Sequence, residues 1–408
     1  MGKSRDGWRE RWGILPSGIS QGYKLCLWVH AVSAGEVVAA VPILRELRVR
    51  FPNHYIVLSV ITPAGREMAE QQAKSHVDAI FYAPYDLIFT VQRVLSRLKP
   101  DAYISMESEM WPNLLSLMKR TGAVNILVNG RMSDKNFGRA STVGKSLFRW
   151  MIGNIHHFAV QSELDQGRFE VFGANNISVL GNSKFDQSLE ILEELAIADK
   201  KRELGLPQNS PILFAGSTRS LEEEKLVLTA YLALKAEFNS LCLILAPRQL
   251  DRVDEVVHLI ESKGLKPRRR SQQGLDRLPT EVIVLDTMGE LAQLYAVATV
   301  TFVGNSFPPV VKGGGQNLLQ PLANGKPVFV GPLTGTIRSE LAVAIAEGVA
   351  FQCQDQAELI SGISLFLRDP QSLKEISVKA LNLMARNRGV SAKYADAVVQ
   401  AIEANRIK

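Results

Sequence analysis

The chain has 408 residues, 46% of them hydrophobic and 22% charged. At roughly 100–200 residues per domain, that length predicts two domains, with three as the alternative. The balance gives each half a core to bury and excludes a disordered chain. The formal net charge of +6 favours anionic partners such as phosphates, lipid head groups or nucleic acid without choosing among them; a basic enzyme with no charged partner is an equal reading on charge alone.

The first residues, MGKSRDGWRERWG, are polar and basic and lack the apolar core of a secretory signal. No apolar run approaches the ~20 residues that a spanning helix needs, which predicts a soluble or peripheral protein. The three cysteines, Cys26, Cys242 and Cys353, are far apart. They form neither a zinc spacing nor a disulfide framework, and a reducing, cytoplasmic location fits them. Cys26 and Cys242 sit inside apolar runs and read as buried strand thiols.

In chain order, the first half carries seven candidate strands: LCLWVH (25–30), YIVLSV (55–60), VDAIFYA (77–83), AYISM (102–106), AVNILV (123–128), HHFAV (156–160) and ISVL (177–180). Stretches of helical period, such as 36–50 and 87–99, separate them. Apolar strands alternating with helices indicate a parallel sheet covered on both faces. A break at 185–208 ends in the turn-forming LPQNSP. The alternation then restarts with strands at 211–216, 240–247, 281–286, 299–304, 326–331 and 349–353. The reading is α/β throughout: two doubly wound, Rossmann-like domains, 1–190 and 191–408, facing a cleft. The final helical run either stays with the second domain or packs back on the first. The basic run KPRRRSQQ (266–273) reads as a solvated loop, with an anion-binding patch as the alternative.

Chemistry-bearing motifs cluster after strands. HAVSAGE (30–36) brings Gly35, read as a tight turn, and Glu36 to a helix start, where the helix dipole favours a carboxylate. General base and helix cap are equal readings for Glu36. ESEMWPN (107–113) places Glu107 and Glu109 after the fourth strand. They could position a sugar or stabilise developing positive charge; solvated loop acids are the alternative. Arg131 in NGRMSDKN could bind an acceptor phosphate or carboxylate, and Lys184 in GNSKFD falls toward the junction of the two halves. In the second half, Ser217 and Thr218 of AGSTRSLEEE could cap a helix whose free amides suit phosphate. Arg248 ends APR, and GGGQNLLQP (313–321) lets backbone approach a ligand at a helix N-terminus. The six histidines have no ligand spacing.

Taken in order, RERWG, HAVSAGEV, APYD, ESEMWPN, NGRMS, QSELD, GNSKFD, AGSTR, EEE, APR, DTMGEL and GGGQN…GKPV…GP resemble the transferases that add 3-deoxy-D-manno-octulosonic acid (Kdo) to lipid A, glycosyltransferases of the GT-B fold. The resemblance covers nearly the whole chain. It implies transfer of Kdo from CMP-Kdo to a lipid A precursor (lipid IVA) in lipopolysaccharide biosynthesis, with neither metal nor cofactor. It also implies Glu36 as general base, Glu107 and Lys184 as transition-state stabilisers, and cytidine-nucleotide contacts from Pro247, Arg248, Met288, Gly289, Glu290, Asn317, Leu318, Leu319 and Gln320. The acceptor belongs with the first domain and the donor with the second. An oxocarbenium-like transition state suits carboxylates, and an arginine with helix amides suits the leaving phosphate.

There are departures. Gln316 and Gln320 stand where the family has His and Glu, and a glutamine accepts a ribose hydroxyl without charge. Gln249-Leu250-Asp251-Arg252 replaces a His-Pro-Glu-Arg-like run, and the family's N-terminal membrane-anchoring segment has no counterpart. The alternatives are a divergent GT-B enzyme with another nucleotide-sugar donor and a degenerate nucleotide-sugar-binding protein. Helices at 87–99 and 139–152 mix apolar residues with Arg93, Arg97, Lys99, Arg139, Lys145 and Arg149. An ordinary core-facing amphipathic helix is the favoured reading, and peripheral contact with the cytoplasmic face of the inner membrane the alternative. No nucleic-acid partner is implied.

Overall fold

The computed structural model describes residues 7–19, 25–142, 144–187, 189, 191–272, 280–310 and 314–406. The chain forms two compact units, Met1–Gln187 with Asn387–Lys408, and Ser188–Arg386.

The first unit is a seven-stranded sheet: β1 (Cys26–His30), β2 (Tyr55–Val60), β3 (Ala79–Tyr82), β4 (Ala102–Met106), β5 (Val124–Gly130), β6 (His157–Val160) and β7 (Ile177–Val179). Its order is β3-β2-β1-β4-β5-β6-β7, and every pairing is parallel. Leu27, Val29, Ile56, Leu58, Ile104 and Ile126 feed the core on one face; Trp28, Val57, Tyr103 and Leu127 feed the core on the other. Burial on both faces explains why these strands read as continuous apolar runs. The chain leaves β1 toward one side of the sheet and β4 toward the other, so the crevice outside their carboxyl ends is the switch point where ligands bind in such sheets.

The second unit holds β8 (Ile212–Thr218), β9 (Cys242–Pro247), β10 (Pro267–Arg269), β11 (Val282–Val284), β12 (Val300–Val303), β13 (Val328–Val330) and β14 (Ala350–Gln352). They are ordered β10-β11-β9-β8-β12-β13-β14, again all parallel. Here the switch lies between β8 and β12. β10 corrects the sequence reading of KPRRR as a loop. Among the described residues this three-residue strand pairs with β11 alone, and such short, charged edge strands carry no apolar signal.

The last helix, Val390–Arg406, belongs to the first unit, although the chain-order boundary at 190 puts it with the second half. Tyr394, Ala395, Val398 and Ile402 are buried in the core that covers the helix Ala34–Arg50. The Asp186 carboxylate accepts the Gly389 and Ser391 amides at 2.6 and 2.5 Å, and the Tyr394 hydroxyl donates to the Gly181 carbonyl at 2.6 Å. Among the described residues no helix is long and apolar enough to cross a membrane.

Candidate active site

At the switch point of the first sheet, Glu36 occupies the first turn of Ala34–Arg50, three residues past the N-cap Ser33. Its carboxylate accepts the Val32 amide at 2.8 Å and the Ser33 hydroxyl at 3.2 Å. It therefore does satisfy a helix-end amide. Burial, followed by the negative charges of Glu107 and Glu109, nevertheless pushes its carboxyl up to about 8. Gly35 is not the tight turn expected of it: it lies inside the helix, and a β-carbon there would meet open space. The turn is made upstream, by extended backbone at Ser33.

Glu107 follows β4 in left-handed backbone at φ 55°. A residue with a β-carbon held there costs of order 1–3 kcal/mol, which three contacts offset. The Glu107 amide donates to the Val128 carbonyl at 3.0 Å, the Arg131 amide donates to the Glu107 carbonyl at 3.2 Å, and Arg131 Nε meets Glu107 Oε2 at 2.7 Å. Glu107 is buried and Arg131 only partly so. Arg131, expected to take an acceptor anion, thus first neutralises Glu107.

Glu109 accepts the Trp111 indole N–H at 3.1 Å. Burial raises its carboxyl to about 7; the Trp111 bond opposes the shift and Glu107 adds to it. Lys184 stands on a short 3-10 helix, Ser183–Asp186, after β7. Ser183 donates from its amide to Asn129 Oδ1 at 3.1 Å and from its hydroxyl to the Ala39 carbonyl at 2.8 Å. These bonds fasten the Lys184 segment to the end of β5 and to the Glu36 helix. Beside the acidic loop, a cavity of about 390 Å³ is lined by Ser108, Met110, Asn136, Arg139, Phe148 and Met151, among others. An apolar body with an arginine at its wall suits an amphipathic ligand.

In the second unit, Ser217 and Thr218 do not cap the next helix. Ser217 has φ 61°, the Thr218 hydroxyl donates to Glu224 at 2.8 Å, and the cap is Ser220, which accepts the Glu223 amide at 3.1 Å. The acidic first turn, Glu222 to Glu224, already supplies the negative charge this helix end attracts. Glu223 is fully buried and accepts the amides of Arg219, Asn305, Ser306 and Phe307 at 3.1, 2.8, 2.9 and 3.2 Å. It holds the loop after β12 against the end of β8. Glu224 takes two bonds from Arg252 at 3.2 and 2.7 Å.

Arg248 follows β9 with an exposed guanidinium that pairs with no described residue. Pro247 is buried beside it, and Met288 is 72% exposed. Gly289 has φ 90°. Glu290 is bound by Arg270 at 2.9 and 2.7 Å and by the Thr287 hydroxyl at 2.7 Å. Arg270 also pairs with Glu203. Sequence reasoning missed this role for Arg270, since it had placed the residue in a solvated basic run; the DTMGEL acid was the only available clue.

Gly313 lies outside the described residues. Gly314 and Gly315 have φ 76° and 82°, and β-carbons there would come within 2.3 Å of the Leu333 carbonyl and 2.6 Å of the Ile337 side chain. These two glycines make room for the protein's own backbone and side chains, which differs from the expected approach to a ligand. The helix that follows is only Leu319–Ala323, and Asn317 Oδ1 accepts the Leu319 amide at 2.9 Å. Leu318, Leu319 and Gln320 are buried, while Asn317 is exposed. Among the described residues, no group of three or more His, Cys, Asp or Glu is placed to hold a metal ion.

Glu109→Gln tests the acidic site. Its carboxyl, raised from 4.5 to about 7, favours the folded state when protonated. That contribution is complete below the unfolded value and is lost as pH rises through 7. The neutral amide removes this loss, so the variant should gain thermal stability over the parent at pH 8.5 relative to pH 5.5, by about 2–4 °C for each kcal/mol. A gap independent of pH in paired melting scans would refute the assignment.

Residues 6–187 match the family model of 3-deoxy-D-manno-octulosonic-acid transferase (kdotransferase). The 3-deoxy-D-manno-octulosonic acid transferase of Bordetella pertussis is 30% identical over 383 residues, covering 91% of this chain and 86% of that protein. The transferase of the same name from Haemophilus influenzae is 29% identical over 386 residues, covering 93% and 88%. In fold, the chain is similar to a glycosyltransferase from Rickettsia africae, with a TM-score of 0.62 at 12% identity, covering 93% of this chain and 99% of that one. It is likewise similar to UDP-GlcNAc 2-epimerase from Neisseria meningitidis, with a TM-score of 0.60 at 12% identity and the same coverage. With two parallel seven-stranded α/β units, the motif series and these relatives, the chain belongs to the 3-deoxy-D-manno-octulosonic acid transferase family and is a glycosyltransferase.

Proposed function

We propose that the chain transfers Kdo from CMP-Kdo to a lipid A precursor, lipid IVA, without a metal and with Glu36 as general base. The observation that carries this reading is the trio Glu36, Glu107 and Glu109 at the switch point of the first sheet, where burial and mutual repulsion hold Glu36 up to about 8. A carboxylate whose conjugate acid titrates near working pH is a stronger base than an ordinary one and accepts a proton efficiently. In the step, the acceptor hydroxyl attacks the anomeric carbon of Kdo and Glu36 receives its proton. The new carbon–oxygen bond forms as the bond to the cytidylate oxygen breaks, and CMP leaves with the electron pair. Glu107 offsets positive charge developing on the sugar, and Lys184 offsets negative charge.

On the donor side, the guanidinium of Arg248, which pairs with no described residue, suits the cytidylate phosphate, as a bidentate cation does. Pro247, the 288–290 turn and Asn317 to Gln320 complete the nucleotide contacts. The cavity beside Ser108 and Met110 suits the apolar and anionic parts of a glycolipid acceptor.

Peripheral binding to the cytoplasmic face of the inner membrane belongs to the same proposal. Ile88 and Phe89 are 56% and 45% exposed, next to exposed Trp8, Leu87 and Arg93. Trp12 stacks on Phe89 with centroids 5.9 Å apart, and Arg93 lies 5.8 Å over the same ring. Aromatic and aliphatic groups edged by arginine suit an anionic lipid surface.

Three experiments test these assignments. Glu36→Gln should lower transfer by roughly 10²–10⁴-fold and abolish the rise in kcat/KM through pH 8, where the parent loses its Glu36 proton. CMP affinity should hold, because Glu36 and the donor contacts lie in different units; transfer at parental rate would eliminate the base. Arg248→Ala should weaken CMP binding about 10–100-fold by calorimetry; equal affinity would remove Arg248 from the donor site. Ile88→Glu with Phe89→Glu should lose flotation with anionic vesicles while leaving the melting temperature in place; undiminished flotation would dismiss this patch.

A further inference from the structure

GKPV (325–328) belongs to the motif series but is given no role in the proposed transfer. It enters β13 from the amino edge of the second sheet, opposite the edge that carries Arg248 and Glu290. A pocket of about 300 Å³ opens there, and among the described residues every charged one lining it is a lysine: Lys201, Lys326 and Lys374. They come from three separate pieces of chain: the helix Glu194–Glu203, the turn before β13 and the helix Pro370–Arg386. Among the described residues, no Asp or Glu lines the pocket, and neither Lys326 nor Lys374 forms an ion pair. Lys201 donates to the Gln208 carbonyl at 3.0 Å, a bond that leaves its charge uncompensated.

The site is built by close packing. Gly325 has φ 68°, which favours glycine, and a β-carbon there would come within 2.3 Å of Ser377 Oγ on the helix Pro370–Arg386, so glycine suits the close approach of that helix to this turn. That approach brings Lys374 and Ser377 onto the same pocket as Lys326. Gathering like charges against a partly buried wall is unfavourable unless an anion answers them. Burial, with Lys201 close by, pulls Lys326 down to about 8, and burial lowers Lys201 as well.

We infer that this pocket binds a tetrahedral oxyanion, either inorganic phosphate or the phosphoryl group of a small phosphomonoester, held by Lys326 together with Lys201 and Lys374. The site is separate from the donor contacts and does not depend on their assignment. Three ammonium groups from different segments can surround a tetrahedral dianion as point-charge donors. Neutralising them would also tie the helix Pro370–Arg386 to the sheet edge, so occupancy should stiffen the second unit.

Calorimetric titration of the full chain with inorganic phosphate, and separately with sn-glycerol 3-phosphate, tests this. The parent should bind at least one of them, and both Lys326→Met and Lys374→Glu should weaken that binding by about tenfold or more. Binding of both ligands would identify free phosphate as sufficient; binding of the ester alone would identify a phosphomonoester as the occupant. Lys374 is exposed, so Lys374→Glu decides the question if Lys326→Met does not fold. Absence of binding to the parent, or parental affinity in a folded variant, would overturn the inference.

Discussion

Parallel pairing is the constraint from which the rest follows. Every strand in both sheets runs alongside its neighbours in one direction, so each βα connection emerges at the same edge. The acids after β1 and β4 and the arginine after β5 therefore meet although nearly a hundred residues separate them. Such convergence concentrates negative charge in a partly buried place. Arg131 on Glu107 makes that tolerable, and the two remaining carboxyls respond by holding their protons to higher pH.

The second unit handles buried acids differently. Glu223 spends its carboxylate on backbone amides and Glu224 on Arg252. Glu223 holds the β8 and β12 termini together, and Glu224 joins the end of β8 to the segment after β9. Acidity alone does not mark a reactive group. What distinguishes Glu36 from Glu223 is the company each keeps: like charges around the first, a ring of N–H donors around the second.

Most strands were legible because burial on both faces writes a short apolar run, three to seven residues of which become strand. β10 was not, because an edge strand of Pro267, Arg268 and Arg269 is written in charge. HAVSAGE and ESEMWPN announced their acids, but the left-handed turn at Glu107 and its lock by Arg131 are facts of register between β4 and β5, which no local pattern encodes. The triple glycine read as an opening for a ligand. In two of its residues the space is taken by Leu333 and Ile337, because the same permissiveness serves internal packing and external contact alike. Arg270 was passed over for a related reason: a charge run looks solvated until its acidic partner, some twenty positions away, folds onto it.

The docking of the final helix on the first unit means that the polypeptide passes between the units twice, once near Gln187 and once near Arg386. The second unit is thus an insertion within the first, not its successor. A nonsense codon just after Arg386 would strip Tyr394 and Val398 out of the first unit's core. On the ribosome, the half synthesised first cannot complete its own interior until the half synthesised second has passed through.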